Sequence, residues 1–429
     1  MKINTDAKKI KEDKSSFPPF ADARVIKEHS FFSTLRSARV IDEVLTRRVE
    51  QVLPDKDSLK KLMQKRRIRL YLGIDPTGTK LHLGHTITLR KLQDFASLGH
   101  EAILVVGTGT VLAGDPSARD KARTRITQRE IEKNIKTWKK QAGKILDFSK
   151  VKIRYNGEWL LKLSLEGVLN IASHISAIKL FQRDMFQKRI RAGSTVWAHE
   201  TLYPLLQGYD SVALETDLEI GGTDQVFNML IGRELVGKML NKEKFVLTCP
   251  MVLGTDGKAM SKSSGNCVWI EDTPDQMFGK IMSIPDHLII PYLELLTDLP
   301  FQKVQQQKKA LSLKKVNPAH LKRELAFEIV KKYHSFEAAK RAGEEFTKVF
   351  KEKKIPSRVP GIKIQKEEIS LIELLLEAGF ASSKSEAKRL ILQRGVKIDG
   401  KIQNDWKQIV KIKKGLILQA GKRKFARIK

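Results

Sequence analysis

The stretch from residue 70 to 106, LYLGIDPTGTKLHLGHTITLRKLQDFASLGHEAILVV, decides the fold of this chain. Apolar residues alternate with others from Ile68 to Leu72, which is the period-two pattern of a strand, and Asp75 begins a loop. Apolar residues then recur at helical spacing from Ile87 to Ala96, Gly99 ends the helix, and a second apolar run follows. The stretch therefore predicts a βαβ unit of an α/β fold.

Two histidines, His82 and His85, lie where the predicted helix begins. The first turn of a helix has free backbone N–H groups and a partial positive charge, which together attract phosphate. Imidazole donors at this place suit a nucleotide, although a pair of ordinary helix-start histidines would give the same pattern. Two nearby glycine patterns do not qualify as phosphate loops, because Lys80 is out of register for a P-loop and the Gly107-Thr108-Gly109 run lacks its third glycine.

A second candidate segment lies far downstream, at residues 254–266 (GTDGKAMSKSSGN). It is too polar for a core and suits a loop that closes over a triphosphate, whereas taken alone it would be a flexible surface loop. Together with His82 and His85 it resembles the HIGH and KMSKS signatures of class I aminoacyl-tRNA synthetases, and the surrounding residues narrow the resemblance to the tyrosyl-tRNA synthetase family. One departure is Ala259, where the family commonly has lysine and where Lys258 stands one position early.

The resemblance implies the cofactors and the residues of the nucleotide site. ATP is the expected substrate, with Mg²⁺ as the accompanying ion and no metal held by protein ligands alone. Catalysis is expected to come from orienting the reactants and from stabilising charge on the transferring phosphate, through Thr77, His82, His85 and Lys262. The residues expected to bind ATP are Gly73, Asp75, His82, His85, Gly222, Asp224 and Lys262.

Three polar residues in the segment YPLLQGYD indicate a ligand site of another kind. Tyr203, Gln207 and Asp210 are spaced four and three apart, so they share one face of a helix, in a largely apolar neighbourhood. The resemblance implies that this face binds tyrosine, its α-ammonium group through Tyr203, Gln207 and Asp115 and its phenol through Asp210 and Tyr71. Gln225 completes the expected tyrosine-binding set. The Asn156 and Trp159 pair resembles a family segment at the rim of the site, but a surface turn with a buried tryptophan explains it equally well.

The overall charge favours a nucleic-acid partner. The chain has 80 basic and 49 acidic residues, a net charge of +31, which suits binding to a polyanion. The alternative is that the basic residues are simply spread over the surface.

Two cysteines are too few for a disulfide framework or a zinc site and fit a reducing compartment. There is no apolar run long enough to span a bilayer and no signal-peptide pattern at the N-terminus, so we expect a cytoplasmic protein without a membrane partner.

The C-terminal segment concentrates this charge. From Lys384 to Lys429 there are 15 basic and 3 acidic residues, net +12. The run from Ser383 to Glu386 predicts a capping box, Gly395 is expected to end the helix, and the Asp399-Gly400 pair predicts a hairpin. The segment resembles the RNA-binding module of a small-subunit ribosomal protein. The resemblance implies tRNA contacts, which we assign to Lys388, Arg389 and Arg394.

These features predict a Rossmann-like catalytic domain with a helical insertion, then a helical domain and a small α+β RNA-binding domain. The expected boundaries are an N-terminal extension (1–34), a catalytic domain (35–272) whose insertion (about 118–197) makes dimer contacts, a helical anticodon-binding domain (273–350), a linker (351–368) and the RNA-binding domain (369–429). The expected partners are tRNA(Tyr), L-tyrosine, ATP and a second copy of the chain.

The resemblance implies a tyrosine–tRNA ligase, in which the tyrosine carboxylate attacks the α-phosphorus of ATP and the adenylate then esterifies the tRNA. Two alternatives remain open. A tryptophanyl enzyme shares both nucleotide signatures, although Asp210 and Tyr71 together favour a phenol over an indole. A non-catalytic RNA-binding protein that kept the fold is the alternative from another class, and adenylate formation separates it from the enzymes.

Overall fold

The computed structural model describes residues 38–115, 127–260, 264–350, 359–421 and 424–429. Lys262 and the N-terminal extension therefore lie outside the described residues. The chain forms two compact units, the first within residues 1–76, 88–127 and 146–249 and the second within residues 77–87, 128–145 and 250–429.

The first unit is built on one mixed sheet. Its strands are β1 (Gln51–Leu53), β2 (Arg69–Ile74), β3 (Glu101–Val106), β4 (Val151–Tyr155), β5 (Leu218–Gly222) and β6 (Phe245–Cys249). Their order is β1-β6-β5-β2-β3-β4, in which β2 to β6 run parallel and β1 lies antiparallel to β6. The predicted βαβ unit is confirmed, because β2 pairs with β3 and helix α3 (Leu83–Ser97) connects them.

The strand order places a binding crevice at the carboxyl ends of β2 and β5. The chain leaves β2 toward β3 on one side, whereas β5 lies on its other side, so the direction of winding reverses between these two neighbours. In open parallel sheets ligands bind at such a reversal. Asp75 directly follows β2, and Gly222 ends β5 before a short 3₁₀ turn at Thr223–Gln225.

Helices pack around this sheet. They are α1 (Ala38–Val44), α2 (Lys56–Lys65), α3, α4 (Thr110–Ala113), α6 (Gly157–Leu160), α7 (Leu165–Ser173), α8 (Ala177–Phe181), α9 (Asp184–Arg191), α10 (Ala198–Ala213) and α11 (Val226–Leu240). The prediction that the insertion (about 118–197) is helical was wrong at β4, which is an edge strand of the sheet. In β4 Val151 is buried while Lys152 and Arg154 are exposed, so the charged residues are the solvent side of a strand and not a helix face.

The second unit is mainly helical. It contains α5 (Gln128–Ala142), α12 (Pro274–Met282), α13 (Ile289–Leu296), α14 (Phe301–Ser312), α15 (Pro318–Tyr333) and α16 (Phe336–Phe350). Helix α12 begins with a capping box in which Thr273 and Gln276 satisfy each other's backbone N–H groups.

The C-terminal part of this unit has its own apolar core. The core residues come from helices α17 (Leu371–Glu377) and α18 (Lys384–Leu392) and from strands β7 (Gly361–Ile362), β8 (Glu368–Ser370), β9 (Val396–Ile398), β11 (Ile409–Lys411), β12 (Ile417–Ala420) and β13 (Lys424–Ile428). Strand β10 (Lys401–Gln403) pairs with β9 and adds no residue to this core. The predicted hairpin is confirmed, since Ile398 pairs with Lys401 across Asp399 and Gly400, both with positive φ.

Three expectations about this part need correction. The proposed linker 351–368 includes β7, which pairs in parallel with β13, so residues 361–362 belong to the small fold. Ser383 caps α18, but Glu386 accepts from the N–H and hydroxyl of Ser382, so the reciprocal half of the capping box is absent here. The helix ends at Leu392, and the left-handed residue after it is Arg394 with φ 56°, not Gly395.

Candidate active site

Asp210 is the buried carboxylate at the centre of the crevice. It lies on α10 with 2% of its surface exposed. One oxygen accepts a hydrogen bond from the Asn156 side-chain amide at 3.0 Å and the other accepts from the Trp159 indole N–H at 2.8 Å. Burial raises the pKa of Asp210 well above its usual range, while these two hydrogen bonds oppose the increase and nearby Glu219 adds to it.

The Asn156 and Trp159 pair is therefore more than a surface turn. Both residues lie at the start of α6, immediately after β4, and both orient Asp210. Asn156 also accepts from the Gly109 N–H at 2.7 Å, which ties the loop after β3 to the same carboxylate. The sequence pattern alone did not decide between this role and an ordinary turn.

Tyr71 presents a second polar group beside Asp210, within an apolar cluster. Its ring is fully buried and packs with Ile103, Val105, Leu214 and the partly buried Trp159. The Tyr71 hydroxyl shares a hydrogen bond of 2.9 Å with Ser211. Burial raises the pKa of Tyr71 well above its usual range, with contributions from the charges of Glu219 and Asp210, so it is a neutral phenol. An apolar wall with two hydroxyl-binding groups at one end suits a phenol side chain.

Tyr203 and Asp75 form the next pair along the crevice. The Tyr203 hydroxyl donates to one oxygen of Asp75 at 3.0 Å, and the Thr110 hydroxyl donates to the other at 2.7 Å. A side chain at Gly107 would approach Asp75 Oδ1 to 1.9 Å, so only glycine admits the carboxylate at this point. The Gly107-Thr108-Gly109 run, which fails as a phosphate loop, thus makes room for Asp75 instead.

Asp115 and Gln225 meet on the other side of the crevice. The Gln225 amide donates to Asp115 at 2.9 Å and to the exposed Asp224 at 3.1 Å. Gly222 lies close to Asp224, since a Cβ there would be 2.4 Å from Asp224 Oδ1. Buried Arg183 approaches Asp115 at 3.9 Å, and it was not among the predicted site residues.

Beneath these residues lies a buried polar layer that the sequence did not reveal. Glu219 on β5, Asn228 on α11 and Lys244 before β6 are at most 1% exposed. Lys244 forms a salt bridge with Glu219, and Glu219 accepts from Gln207 at 3.0 Å. Asn228 donates to Gln207 at 2.9 Å and to Gln225 at 2.8 Å. The only sequence signals were polar residues inside apolar runs at Glu219 and Asn228, whereas Lys244 follows the polar residues 241–243 and carried no signal.

In the second unit, His82 and His85 lie against each other at the start of α3. The ring centroids are 3.8 Å apart. His82 Nδ1 accepts from the Gly84 N–H at 3.2 Å, and His85 Nδ1 accepts from the His82 N–H at 3.1 Å. Because each Nδ1 is an acceptor, a neutral imidazole carries its proton on Nε2, so each ring presents an Nε2–H donor.

This arrangement corrects one expectation about phosphate binding. The backbone N–H groups of residues 82 to 85 all have acceptors within the protein, including Val268 for Leu83 and the His82 carbonyl for His85. They are therefore not the free first-turn donors that the sequence suggested, and the imidazoles are the donors in their place.

The segment 254–266, called the lysine loop from here on, is held together by one buried side-chain amide. Asn266 is 3% exposed and donates to Asp256 at 2.8 Å and to the Ala259 carbonyl at 3.0 Å, which joins the two arms of the loop. Gly254 lies so close that a Cβ there would be 2.5 Å from the Asn266 amide. After the loop, Trp269 forms a β-bridge with His82. Residues 261–263, including Lys262, lie outside the described residues.

The three residues predicted to contact RNA lie in or directly after α18. Lys388, Arg389 and Arg394 are all exposed. The Lys388 ammonium lies 4.0 Å from the ring centroid of Trp406, and Lys407 lies 5.3 Å from the same centroid. Cations that flank an aromatic ring are common on surfaces that bind nucleic acid.

Comparison with known proteins identifies the family. Residues 63–351 match the model described as "tRNA synthetases class I (W and Y)", and residues 371–415 match an S4 domain. A protein of Thermotoga maritima named "Tyrosine--tRNA ligase" is 44% identical over 90% of this chain and 96% of its own length. The chain belongs to the tyrosine–tRNA ligases. A ligase of that name from Carboxydothermus hydrogenoformans is 42% identical over 90% of this chain and 97% of its own length.

The fold agrees with solved members of the family. A C-terminally truncated mitochondrial tyrosyl-tRNA synthetase of Aspergillus nidulans matches 76% of this chain and 100% of its own length, with a TM-score of 0.63 and 21% identity. The predicted class, a Rossmann-like domain followed by helices and a small α+β domain, is confirmed. The naming of the relatives decides against the tryptophanyl alternative.

In this tyrosine–tRNA ligase the predicted tyrosine-binding residues converge in the first unit. Hydrogen bonds join them in two groups. Tyr203 is linked to Asp210 through Asp75, Thr110 and Asn156. The second group runs from Tyr71 through Ser211 and Glu219 to Gln207, and from there through Asn228 and Gln225 to Asp115. The structure places Asp75, predicted as an ATP ligand, in hydrogen-bond contact with Tyr203. Among the described residues, no helix is long and apolar enough to cross a membrane.

Proposed function

We propose that this chain activates L-tyrosine with ATP and transfers the tyrosyl group to the 3′ end of tRNA(Tyr). The single observation that carries the choice of amino acid is the buried Asp210, held by Asn156 and Trp159, beside the neutral phenol of Tyr71. A carboxylate accepts and a phenol both donates and accepts, so together they match the hydroxyl of a tyrosine side chain and leave polar groups unpaired with phenylalanine.

The other end of the amino acid carries a positive charge and meets several acceptors. Asp115, the Tyr203 hydroxyl and Gln207 are the groups we assign to the α-ammonium group, with Gln225 holding Asp115 in position. The hydrogen bond of 2.9 Å between Gln225 and Asp115 supports this arrangement. A substrate fixed at both ends presents its carboxylate in one orientation, which favours attack on a phosphate.

The nucleotide half of the reaction is assigned to His82, His85, Thr77 and Lys262. The carboxylate oxygen of tyrosine bonds to the α-phosphorus, and the bond from that phosphorus to the bridging oxygen breaks, which releases pyrophosphate. The imidazole Nε2–H groups and the Lys262 ammonium are suited to stabilise the charge that develops on the phosphate oxygens. Backbone and ribose contacts to ATP are assigned to Gly73, Asp75, Gly222 and Asp224.

Magnesium enters this proposal as a part of the nucleotide. Within the described ranges, no group of three or more His, Cys, Asp or Glu side chains is placed to hold a metal ion. Mg²⁺ is commonly bound through substrate phosphates and water with few protein ligands, so the Mg²⁺ complex of ATP is the expected substrate form.

The tRNA is assigned to the basic parts outside the catalytic domain. In the small C-terminal domain Lys388, Arg389 and Arg394 would contact the phosphate backbone, and the helical domain from 273 to 350 would bind the anticodon arm. The exposure of these three cations and the net charge of +12 from Lys384 onward support the first assignment.

A homodimer is the proposed assembly, through the insertion after β4. Several large apolar side chains are exposed there, and two of them, Leu165 and Leu169, lie one turn apart on α7. The exposed set is Leu161, Leu165, Leu169, Ile178, Phe181, Ile190 and Trp197. An apolar patch of this kind marks an interaction surface. Sedimentation of the wild type and of Leu165→Asp checks this assignment.

A cytoplasmic location fits the two buried free thiols, Cys249 and Cys267.

ATP–pyrophosphate exchange with tyrosine, phenylalanine and tryptophan tests the function. The expected result is exchange that depends strongly on tyrosine, followed by esterification of tRNA(Tyr) in a charging assay. Exchange with tryptophan alone would mean that tryptophan, not tyrosine, is the substrate. If an active-site titration detected no adenylate with any of the three amino acids, the chain would be a non-catalytic RNA-binding protein.

A further inference from the structure

A buried ion pair lies under the proposed tyrosine site, and no role has been assigned to it so far. Lys244 has no exposed surface, and its ammonium contacts Glu219 and lies 3.3 Å from the Met229 carbonyl. The ammonium is accommodated where α10 and α11 cross, because a Cβ at Gly232 would come within 2.6 Å of it. Burying two charges is expensive, and replacing such a pair by apolar residues often stabilises a protein. Its presence therefore points to a purpose other than stability.

The pair determines which way the Gln207 side chain faces. With an ammonium on one oxygen, Glu219 is a carboxylate and can only accept hydrogen bonds. The Gln207 NH₂ group must therefore face Glu219, at 3.0 Å, and its carbonyl oxygen must face away. The Asn228 NH₂ group fixes the same orientation from the other side, since it donates to the Gln207 oxygen at 2.9 Å.

Hydrogen-bond partners fix the orientation of the Gln225 amide in the same way. The Asn228 NH₂ group also donates to the Gln225 oxygen at 2.8 Å, and the Gln225 NH₂ group donates to Asp115 at 2.9 Å. Three amides thus run between two carboxylates, Glu219 at one end and Asp115 at the other, and each amide has a single orientation that satisfies its partners.

We infer that Glu219, Lys244 and Asn228 are positioning residues that hold the carbonyl oxygen of Gln207 toward the α-ammonium group of the substrate. A glutamine whose amide could turn over would present its NH₂ group to the ammonium half of the time, and two donors repel each other. A carbonyl oxygen has two lone pairs, so Gln207 can accept from Asn228 and from the substrate together. This inference rests on the proposed function, because it assumes that the bound amino acid is tyrosine.

Glu219→Gln is the most direct test, because it keeps the shape of the side chain and removes one of the two groups that fix Gln207. With Lys244 beside the new amide oxygen, the new NH₂ group would face the Gln207 NH₂ group and oppose the orientation that Asn228 favours. The ligands are tyrosine, tyramine, which keeps the ammonium group, and 3-(4-hydroxyphenyl)propionic acid, which lacks it. Dissociation constants are measured by calorimetry on the full chain. We expect binding of tyrosine and tyramine to weaken about 10- to 100-fold, the scale of one lost hydrogen bond to a charged group, while the acid without the ammonium changes less than about twofold.

Asp217→Asn is the matched control. Asp217 directly precedes β5, two residues before Glu219, is 2% exposed, and is paired with Arg66 and Lys242 next to the amino end of the strand. It undergoes the same loss of a buried charge, so it reports the effect of weaker packing on all three ligands. We expect a lower melting temperature and no discrimination between ligands with and without the ammonium group.

Asn228→Asp provides a second route if Glu219→Gln does not fold. It keeps the shape of the side chain, removes the NH₂ group that faces Gln207, and should give the same selective loss. Equal weakening of all three ligands in the folded variants would overturn the inference, and so would unchanged binding. The wild type tells the two failures apart. If it gives no tyrosine-dependent pyrophosphate exchange, the proposed function is wrong. If it does, and the variants weaken the ligands with and without the ammonium group equally, only the positioning role is rejected.

Discussion

Replacing Asp210 by asparagine should remove most of the preference for tyrosine. Both oxygens of Asp210 accept hydrogen bonds, from Asn156 at 3.0 Å and from Trp159 at 2.8 Å. Asparagine removes the charged acceptor that Asp210 would offer to the substrate phenol, and in either orientation its NH₂ group faces one of these two donors. A hydrogen bond to a charged group contributes about 1.5 to 3 kcal/mol, which corresponds to a loss of about 10- to 150-fold in kcat/KM for tyrosine.

Tyr71→Phe should have a smaller effect of the same kind. The Tyr71 hydroxyl is neutral and its hydrogen bond of 2.9 Å joins it to Ser211, which keeps a contact with Glu219 when the hydroxyl is removed. A neutral hydrogen bond contributes about 0.5 to 1.5 kcal/mol, so kcat/KM for tyrosine should fall about 2- to 12-fold. Phenylalanine has no hydroxyl to bind, and its activation should hardly change.

Pyrophosphate exchange with tyrosine and with phenylalanine measures both effects. Tyr209→Phe is the matched control for the hydroxyl deletion, because Tyr209 is the half-buried neighbour of Asp210 and packs with the apolar cluster around Leu235. It should leave the ratio of the two kcat/KM values unchanged. If Asp210→Asn and Tyr71→Phe also left that ratio unchanged, the phenol would not be recognised by these groups.

Three further predictions concern the tail, the lysine loop and pH. Deletion of 351–429, which removes β7 and β8 together with their partner strands, should weaken tRNA binding in a strongly salt-dependent way while tyrosine activation stays nearly intact; equal filter-binding affinity at low salt would contradict it. Lys262→Ala should slow activation about 10- to 1000-fold in pre-steady-state kinetics, with tyrosine affinity unchanged. Because Ala259 is exposed, Ala259→Lys should fold normally; no gain in rate there, together with a loss of rate in Lys258→Ala, would indicate that Lys258 already performs the role. Burial raises the pKa of Asp210 above 3.8, so ionisation of this group lowers the stability of the wild type as the pH rises above that value. Because asparagine does not titrate, the stability of Asp210→Asn minus that of the wild type, measured by urea titration, should increase from pH 4 upward.

The parts of the fold that follow from local pattern were predictable from the sequence. The βαβ unit and the Asp399-Gly400 hairpin each depend on residues close together in the chain, and both are present as expected. Strand β4 was not recognised, because it is an edge strand whose Lys152 and Arg154 face solvent and whose alternation spans only five residues. Five alternating residues between two helical segments are too few for the period-two pattern to stand out.

The candidate site was predictable where residues share one helix face and unpredictable where they meet across the sheet. Tyr203, Gln207 and Asp210 lie within two turns of α10. Glu219 on β5 and Lys244, which directly precedes β6, are brought together by the pairing of these two parallel strands. Nothing in their sequence positions indicates that contact. The use of the first-turn N–H groups within the protein also escaped prediction, because the Nδ1 atoms of His82 and His85 accept from them only once the loop has folded.

The arrangement of charge explains why a cationic ligand belongs in this crevice. Burial raises the pKa of Asp210, and the charges of Glu219 and Asp75 raise it further. Burial likewise raises the pKa of Tyr203, with contributions from the charges of Asp75 and Asp115. Each carboxylate therefore makes ionisation of its neighbours more costly. An ammonium group that enters beside Asp115 offsets this repulsion, whereas an uncharged analogue leaves it in place. The carboxylates are thus costly to the empty fold and favourable to the complex, so the unfavourable electrostatics of the free protein become part of the selectivity for an amino acid.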